Sequence, residues 1–185
     1  MPARKRIASG LAIAGTLALT ACFGAQTPLI PAGEAILPLD REITVCPEDE
    51  ASCFTMAALN DGYVTPSDMP PGDRGTARFA PLLASGGVQY FILEAKPDGE
   101  LEVIHLIARR AAGTSPGPAT IDIAPADCDD LQGEARAAFE AAGGEISHGF
   151  VSNCRAPDHD TLRSALVSVY GDVLADDNWW LAQSR

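Results

Sequence analysis

The feature that most constrains this chain is a short apolar segment near its amino terminus. Arg4, Lys5 and Arg6 precede a charge-free run from Ile7 to Leu19, which is built mainly of Ala, Leu, Ile and Gly. A helix that crosses a bilayer needs roughly 20 apolar residues, and this run is shorter. A positive start followed by a short apolar run is typical of a signal peptide, so the fold must lie in the residues that follow.

The apolar run ends in the tetrad Leu19-Thr20-Ala21-Cys22. This tetrad and its flanks resemble the lipobox of bacterial lipoproteins, and the resemblance covers residues 1–22 only. It implies a diacylglyceryl group on the Cys22 thiol, cleavage before Cys22 and acylation of the new amino group. Two or three acyl chains anchor a protein stably in the lipid bilayer. Phe23 replaces the Asp that favours inner-membrane retention in enteric bacteria, so we expect a periplasm-facing, lipid-anchored protein of the cell envelope at the outer membrane.

The charge balance narrows the choice of partners. The 185 residues contain 13 Lys+Arg and 25 Asp+Glu, a formal net charge of −12. A nucleic-acid binder needs a basic face, so nucleic acid is not expected as a partner. Loss of residues 1–21 removes three positive charges and leaves −15. Solubility explains such a surface, and the alternative is attraction of a basic partner or a divalent cation.

The chain after the signal peptide divides into a tether and one domain. Residues 22–40 contain the lipidated cysteine and three prolines among small residues, without hydrophobic periodicity, which predicts a flexible tether. Residues 41–185 have the length of a single globular domain.

The hydrophobic pattern of that domain predicts an α+β fold with a mainly antiparallel sheet and two to three helices. The firmest element is a hairpin of two central strands joined by Pro97-Asp98-Gly99. Pro81 would limit its strand to a sheet edge, and Asp129 and Asp160 are the expected caps of the second and third helices. Strands are expected over 42–45, 78–83, 88–95, 101–109, 119–123 and 146–151, and helices over 50–59, 131–142 and 162–174.

Four cysteines remain if Cys22 carries lipid, and an exported chain is expected to pair them. The strands on either side of the helix over 131–142 would run parallel, which brings Cys128 and Cys154 to the same sheet edge. Cys46 and Cys53 would then form a local disulfide. The spacings do not match those of zinc sites, so we expect two disulfides and no metal or cofactor.

No catalytic motif is present in the sequence, and no catalytic residue is assigned. His105 lies on the apolar face of a central strand and is expected to be buried. His159 stands between two aspartates, which could orient an imidazole as a base or metal ligand, although helix capping explains them as well. Helix capping also explains the three aspartates around Cys128 better than calcium binding does.

Two regions are candidates for binding. The loop from Gly62 to Gly75 is long and irregular, as functional loops often are. Adjacent residues rarely face the same way, so at least one of the two tryptophans near the carboxyl terminus is expected to pack on the core, and the other could mark a contact surface. The candidate binding residues are Tyr63, Asp68, Asp73, Arg74, Trp179 and Trp180.

We therefore expect a membrane-anchored envelope lipoprotein with a non-catalytic binding or accessory role in an envelope complex, with an envelope protein as its partner. The alternative is a small envelope hydrolase that uses a histidine with an aspartate. A cleft that gathers His148 or His159 with a carboxylate and a hydroxyl would favour the hydrolase. An exposed apolar patch would favour the binding module, and three converging carboxylates would favour a divalent-cation binder.

Overall fold

The computed structural model describes residues 23–39, 41–45, 54–70, 73–110, 121–148 and 152–183. The predicted signal peptide, the lipidation site Cys22 and the predicted Cys46–Cys53 disulfide lie outside the described residues.

The described residues form one ten-stranded mixed sheet, mostly antiparallel, with three α-helices, so the predicted α+β fold is confirmed. A short 3-10 helix, Cys128–Asp130, precedes the first α-helix. None of the described helices is long and apolar enough to cross a membrane. The strands are β1 Phe23–Ala25, β2 Glu42–Val45, β3 Phe54–Leu59, β4 Gly62–Val64, β5 Gly75–Ser85, β6 Val88–Pro97, β7 Val103–Arg110, β8 Ile121–Pro125, β9 Glu145–His148 and β10 Ser152–Arg155. The helices are α1 Gly133–Ala141, α2 His159–Tyr170 and α3 Asp177–Gln183.

Strand β7 has one neighbouring strand on one side and two on the other. Strands β2 to β7 follow each other as antiparallel neighbours, and the β6–β7 hairpin lies at the centre as predicted. On the side of β7 that faces away from β6, two strands share its length. Strand β8 pairs with Leu106–Arg110, and β1 pairs with Val103–His105. Strand β10 then runs parallel to β1, and β9 completes that edge.

The expectation of a flexible tether is wrong for residues 23–39. Strand β1 fills the place between β7 and β10, where Phe23 lies opposite both His105 and Cys154. Phe23 and Ile30 are buried, and Ile36 bridges to Phe79 of β5. The sequence lacked a periodic pattern here because this segment gains its order from distant partners rather than from a local helix or hairpin.

Two predictions for the first half of the domain are corrected by the sheet. The helix expected over 50–59 is wrong over its described part, because Phe54–Leu59 pairs with β2 and β4 as β3. The predicted edge position of the strand with Pro81 is also wrong, because β5 runs between β4 and β6. Pro81 is accepted there because it stands at a register shift, beyond the residues that β4 pairs with.

The second half of the domain contains the predicted helices, but their caps differ from the prediction. Asp158, not Asp160, caps α2 by accepting a hydrogen bond from the Thr161 N–H at 2.8 Å. Asp129 lies in the 3-10 helix, and α1 begins after Gln132 without a side-chain cap. Of the strand expected over 146–151, residues 146–148 lie in β9, which pairs antiparallel with β10, and residues 149–151 lie outside the described residues.

The predicted Cys128–Cys154 disulfide is confirmed, with a Cα–Cα distance of 5.5 Å. It joins the 3-10 helix after β8 to β10. The argument that predicted the pair is wrong, because β9, the strand that follows the helix, runs antiparallel to β8. Cys154 lies in the next strand, β10, which runs in the direction of β8. Both sulfur-bearing side chains belong to the buried core.

Each face of the sheet is covered by its own apolar core. One core gathers Ile92 and Ile107 with Phe139, Leu162 and Leu166, so the helices cover this face. The other core collects side chains from β2 to β8, and residues 36–39 pack against it. Burial on both faces explains why β6 and β7 are apolar along most of their length.

Candidate functional site

A row of ionisable side chains crosses the sheet on its helix-covered face. Arg78 in β5, Glu94 in β6 and His105 in β7 occupy directly opposed register positions. Side chains two residues along, such as Ile92 and Ile107, belong to the helix-side core. Glu94 is 2% exposed and His105 is fully buried, as predicted for the histidine.

Glu94 is the centre of this row. Its Oε2 accepts hydrogen bonds from the N–H groups of Leu29 at 2.6 Å and Ile30 at 3.0 Å. Its Oε1 lies 3.3 Å from Arg78 Nη1, and its Oε2 lies 3.4 Å from His105 Nε2. Burial alone would raise the pKa of Glu94, but the His105 imidazole and the two backbone donors outweigh it and hold the pKa below its usual range. Glu94 is therefore an ionised carboxylate inside the fold.

Arg78 completes the arrangement and connects it to the surface. Its Nη1 donates to the Ile30 carbonyl at 2.8 Å, and its Nη2 lies 2.7 Å from Asp61 Oδ2. Leu29 and Ile30 thus cover the Glu94 carboxylate, and Glu94 and Arg78 in turn bind the backbone of these two residues. We call Arg78, Glu94 and His105 the buried triad, and its contacts show that it fastens the amino-terminal segment to the sheet.

The loop from Gly62 to Gly75 is less irregular than predicted. Gly62–Val64 is strand β4, and Tyr63 is a buried core residue whose hydroxyl donates to the Leu39 carbonyl and accepts from the Leu39 N–H at 3.0 Å. Tyr63 is therefore not an exposed binding residue. Arg74 Nε donates to the Met69 carbonyl at 2.7 Å within the loop. Asp68 is exposed and Asp73 is half-buried.

Both tryptophans pack on the helix-side core with their ring centroids 5.1 Å apart, so the expectation that they face different ways is wrong. Trp180 is buried, stacks on Tyr90 and donates its Nε1–H to the Leu174 carbonyl at 2.8 Å. Arg109 lies over the Trp180 ring, 4.7 Å from the centroid. Trp179 is half-buried and packs against the helix-side core, so most of its surface is already used within the fold.

His148 has hydrogen-bonding neighbours but not those of a general base. Its Nε2 faces Arg136 Nη2 at 3.3 Å, and its Nδ1 faces Ser152 Oγ at 3.5 Å. A guanidinium can only donate, so Nε2 accepts and Nδ1 carries the proton in the neutral ring. The nitrogen that faces the serine hydroxyl therefore has no free lone pair to take its proton.

His159 lies in the wall of a cleft at the amino-terminal end of α2. Its Nδ1 is 3.0 Å from Glu34 Oε2, and its side chain is buried. Both ring nitrogens are shielded from solvent and have no hydrogen-bond partner among the described residues. The cleft has a volume of about 360 Å³, and its walls are Thr27, Pro28, Leu29, Pro31, Glu34, Pro157, Asp158, His159 and Asp160.

The charged side chains that line this cleft are acidic. Its lining includes three carboxylates, Glu34, Asp158 and Asp160, and neither Lys nor Arg. Hydrogen bonds from Thr161 hold the pKa of Asp158 below its usual range, so that carboxylate is ionised at neutral pH. The α2 N–H of Thr161 is already bonded to Asp158. The cleft thus offers hydrogen-bond acceptors and negative charge beside apolar proline walls.

The acidic residues near Cys128 have structural partners. Asp127 Oδ1 accepts from the Asp129 N–H at 2.8 Å and caps the 3-10 helix. The Tyr170 hydroxyl donates to Asp130 Oδ2 at 2.8 Å, and burial together with that carboxylate raises the pKa of Tyr170. Within the described residues, no three His, Cys, Asp or Glu side chains converge to hold a metal ion.

Sequence reasoning missed the buried triad and Glu34. Glu94 stood out only as one charged residue in the apolar run 88–95, and register was needed to place it opposite Arg78 and His105. Glu34 lay in the segment expected to be a tether. Its proximity to His159 depends on the fold of residues 23–39 against the sheet.

Comparisons with protein-family models, curated proteins and solved structures each found no match to this chain.

Proposed function

We propose that this protein is a lipid-anchored bacterial envelope protein, with a non-catalytic binding or accessory role beside the bilayer. The tetrad Leu19-Thr20-Ala21-Cys22 is the observation that carries the proposal. The arrangement of β1 supports it, because cleavage before Cys22 would leave Phe23 and the rest of β1 in place. The expected partner is an envelope protein, and the expected location is the periplasmic side of the outer membrane.

The position of Phe23 changes how such an anchor would hold the domain. Phe23 is fixed between β7 and β10, and successive Cα atoms are about 3.8 Å apart. The acyl groups on Cys22 would therefore begin within one residue of the sheet. Such an anchor would hold the domain close to the bilayer surface instead of away from it on a tether.

The non-catalytic role is supported by how the polar side chains are used. The buried triad is covered by the segment that it binds, and His148 lies between the Arg136 guanidinium and the Ser152 hydroxyl. Asp127 and Asp158 cap helices. Each of these groups serves the fold.

Metabolic labelling with an alkyne-bearing fatty acid tests the anchor. We expect label on the wild-type protein and none on Cys22→Ala. The Thr20→Ser variant is the matched control, because it keeps a small residue in the tetrad and should retain the label. Label on Cys22→Ala, or its absence from the wild type, would contradict the proposal.

A hydrolase remains the second candidate because of one specific observation. Glu34 Oε2 lies 3.0 Å from His159 Nδ1 beside the cleft, so a carboxylate and an imidazole are neighbours there, as they are in the pairs that activate a nucleophile. Thr27 supplies a hydroxyl to the same cleft. Hydrolysis of chromogenic esters by wild type, lost in His159→Gln and retained in His148→Gln, would support this candidate. Equal rates in all three proteins would reject it.

A further inference from the structure

Residues 26–39, which we call the strap, lead from β1 towards β2 and touch both faces of the sheet. Leu29 and Ile30 pack on the helix-side core, and Ile36 packs on the core of the other face. The strap contains no helix, and its pairing with the sheet is the single bridge from Ile36 to Phe79. Ile30 is its only buried residue, and half of its residues are exposed. A segment with so few buried apolar side chains belongs to the parts of a fold that open most easily.

The strap meets the buried triad through its backbone. The N–H groups of Leu29 and Ile30 donate to Glu94 Oε2, and the Ile30 carbonyl accepts from Arg78 Nη1. Nearly every residue of a peptide carries one such donor and one such acceptor. Arg78 and Glu94 therefore hold an extended peptide by groups that do not depend on its side chains, and the strap fills a place that another peptide segment can fill.

The closed strap also lies against buried polar atoms that lack partners. In the described part of the chain, the buried side-chain nitrogen and oxygen atoms without a hydrogen bond belong to Arg78, His105 and His159. Arg78 donates to the strap backbone, and His105 Nε2 lies 3.4 Å from the Glu94 carboxylate that the strap covers. His159 lies beside Glu34 of the strap. Buried polar atoms without partners are costly, so the closed state carries a penalty that water relieves when the strap opens.

We propose that the strap opens as a unit while the sheet stays folded, and that its opening frees Arg78 and Glu94 to bind an extended peptide segment of a partner protein. The closed strap is then an internal competitor for that segment. The inference deepens the proposed binding role and rests on it, but it does not depend on the lipid anchor.

The sheet keeps its own contacts when the strap leaves. Strand β1 stays paired with β7 and β10 at one end of the strap, and the Tyr63 hydroxyl binds the Leu39 backbone at the other end. Strands β5 and β6 pair directly with each other. The Glu94 carboxylate keeps Arg78, which also pairs with Asp61, so water replaces only the strap's backbone groups. Opening therefore leaves neither charge without its counterion.

Hydrogen exchange of the full protein in a neutral detergent, followed by NMR, tests the opening. The hydrogen-bonded amides of Leu29, Ile30 and Ile36 report on the strap. The amides of Ile92 and Ile107, which face each other in β6 and β7, report on the centre of the sheet. Relative to the rates of an unstructured chain, we expect the strap amides to share one opening constant and to exchange at least about tenfold faster than the central amides.

Two variants show whether the strap opens separately from the rest of the fold. Ile30→Ala removes the buried side chain of the strap and should raise strap exchange about tenfold or more. Leu174→Val weakens the core beyond the carboxyl end of α2, whereas the strap meets the amino-terminal end of that helix. It should speed exchange at Ile92 and Ile107 and leave the strap amides within about twofold. Equal acceleration of both groups by Leu174→Val, or wild-type strap amides as slow as the central ones, would overturn the inference.

Titration with a fluorescent peptide that copies residues 27–39 tests the site that opening frees. The apparent affinity of such a ligand rises in proportion to the open fraction. We expect saturable binding, strengthened in Ile30→Ala by the same factor by which that variant raises strap exchange. Leu101→Ala, at an exposed position outside the strap, should leave the affinity unchanged. No saturable binding, or binding that Ile30→Ala does not strengthen, would overturn the inference, and fatty-acid labelling stays independent of either result.

Discussion

Replacement of Glu94 by Gln tests the role of the buried triad most sharply. The amide keeps the shape of the side chain and removes its charge. Two hydrogen bonds from Leu29 and Ile30 lose their charge assistance, and Arg78 loses its buried counterion at 3.3 Å. Asp61 still pairs with Arg78, so the guanidinium is not left wholly unpaired.

The expected loss of unfolding free energy is about 3–5 kcal/mol, the cost of removing one partner from a buried ion pair. For a chain of this size that corresponds to a fall of roughly 6–20 °C in Tm. The control is Glu102→Gln, because Glu102 is half exposed in its ion pair with Arg155 and should cost under about 1 kcal/mol.

The pH dependence should follow from the same carboxylate. Because the folded-state pKa of Glu94 lies below its unfolded value, the stabilisation is present above the unfolded pKa and is lost as the pH falls through the folded pKa. We therefore expect wild type to lose part of its stability in acid, and Glu94→Gln to lose less over the same interval. Denaturant unfolding at several pH values measures both effects. Equal stabilities for the Glu94 and Glu102 variants at pH 7 would refute this account of the triad.

Three further substitutions should lower the stability of the fold by amounts that follow from the contacts they remove or crowd. Tyr170→Phe removes the hydroxyl that donates to Asp130 at 2.8 Å and should cost about 1–2 kcal/mol in denaturant unfolding, against no change if that contact were incidental. Gly62→Ala would place a Cβ 2.6 Å from a backbone carbonyl oxygen of β5 and should destabilise by about 1–3 kcal/mol; unchanged Tm would contradict the close approach of β4. Replacing Cys128 and Cys154 together by Ser should lower the free energy of unfolding by about 2–4 kcal/mol under non-reducing conditions. The difference from the wild type should shrink under reducing conditions, which also open the wild-type disulfide.

Local patterns in the sequence predicted the elements that local interactions determine. The β6–β7 hairpin followed from a Pro-Asp-Gly turn between two apolar runs. Helix α2 followed from its apolar periodicity. The Cys128–Cys154 pair was predicted correctly, but the parallel partner of β8 is β10 and not the strand directly after the helix. Residues 54–59 were ambiguous, because Met-Ala-Ala-Leu suits a helix while the order of β3 comes from pairing with β2 and β4.

Distant contacts account for what the sequence could not predict. The backbone of Leu29 meets a carboxylate 65 residues away in sequence, and no periodic pattern indicates such a contact. The same fold of the amino-terminal segment brings Glu34 to His159 and creates the cleft. The candidate site therefore depends on the segment that resembled a tether.

Intact mass under non-reducing conditions, on protein extracted from membranes, tests the central claim of a lipid anchor next to a folded domain most directly. The account predicts a chain that begins at Cys22, carries added acyl groups and is lighter than its reduced form by two hydrogens for each disulfide. A chain without acyl groups, or one that begins elsewhere, would contradict it.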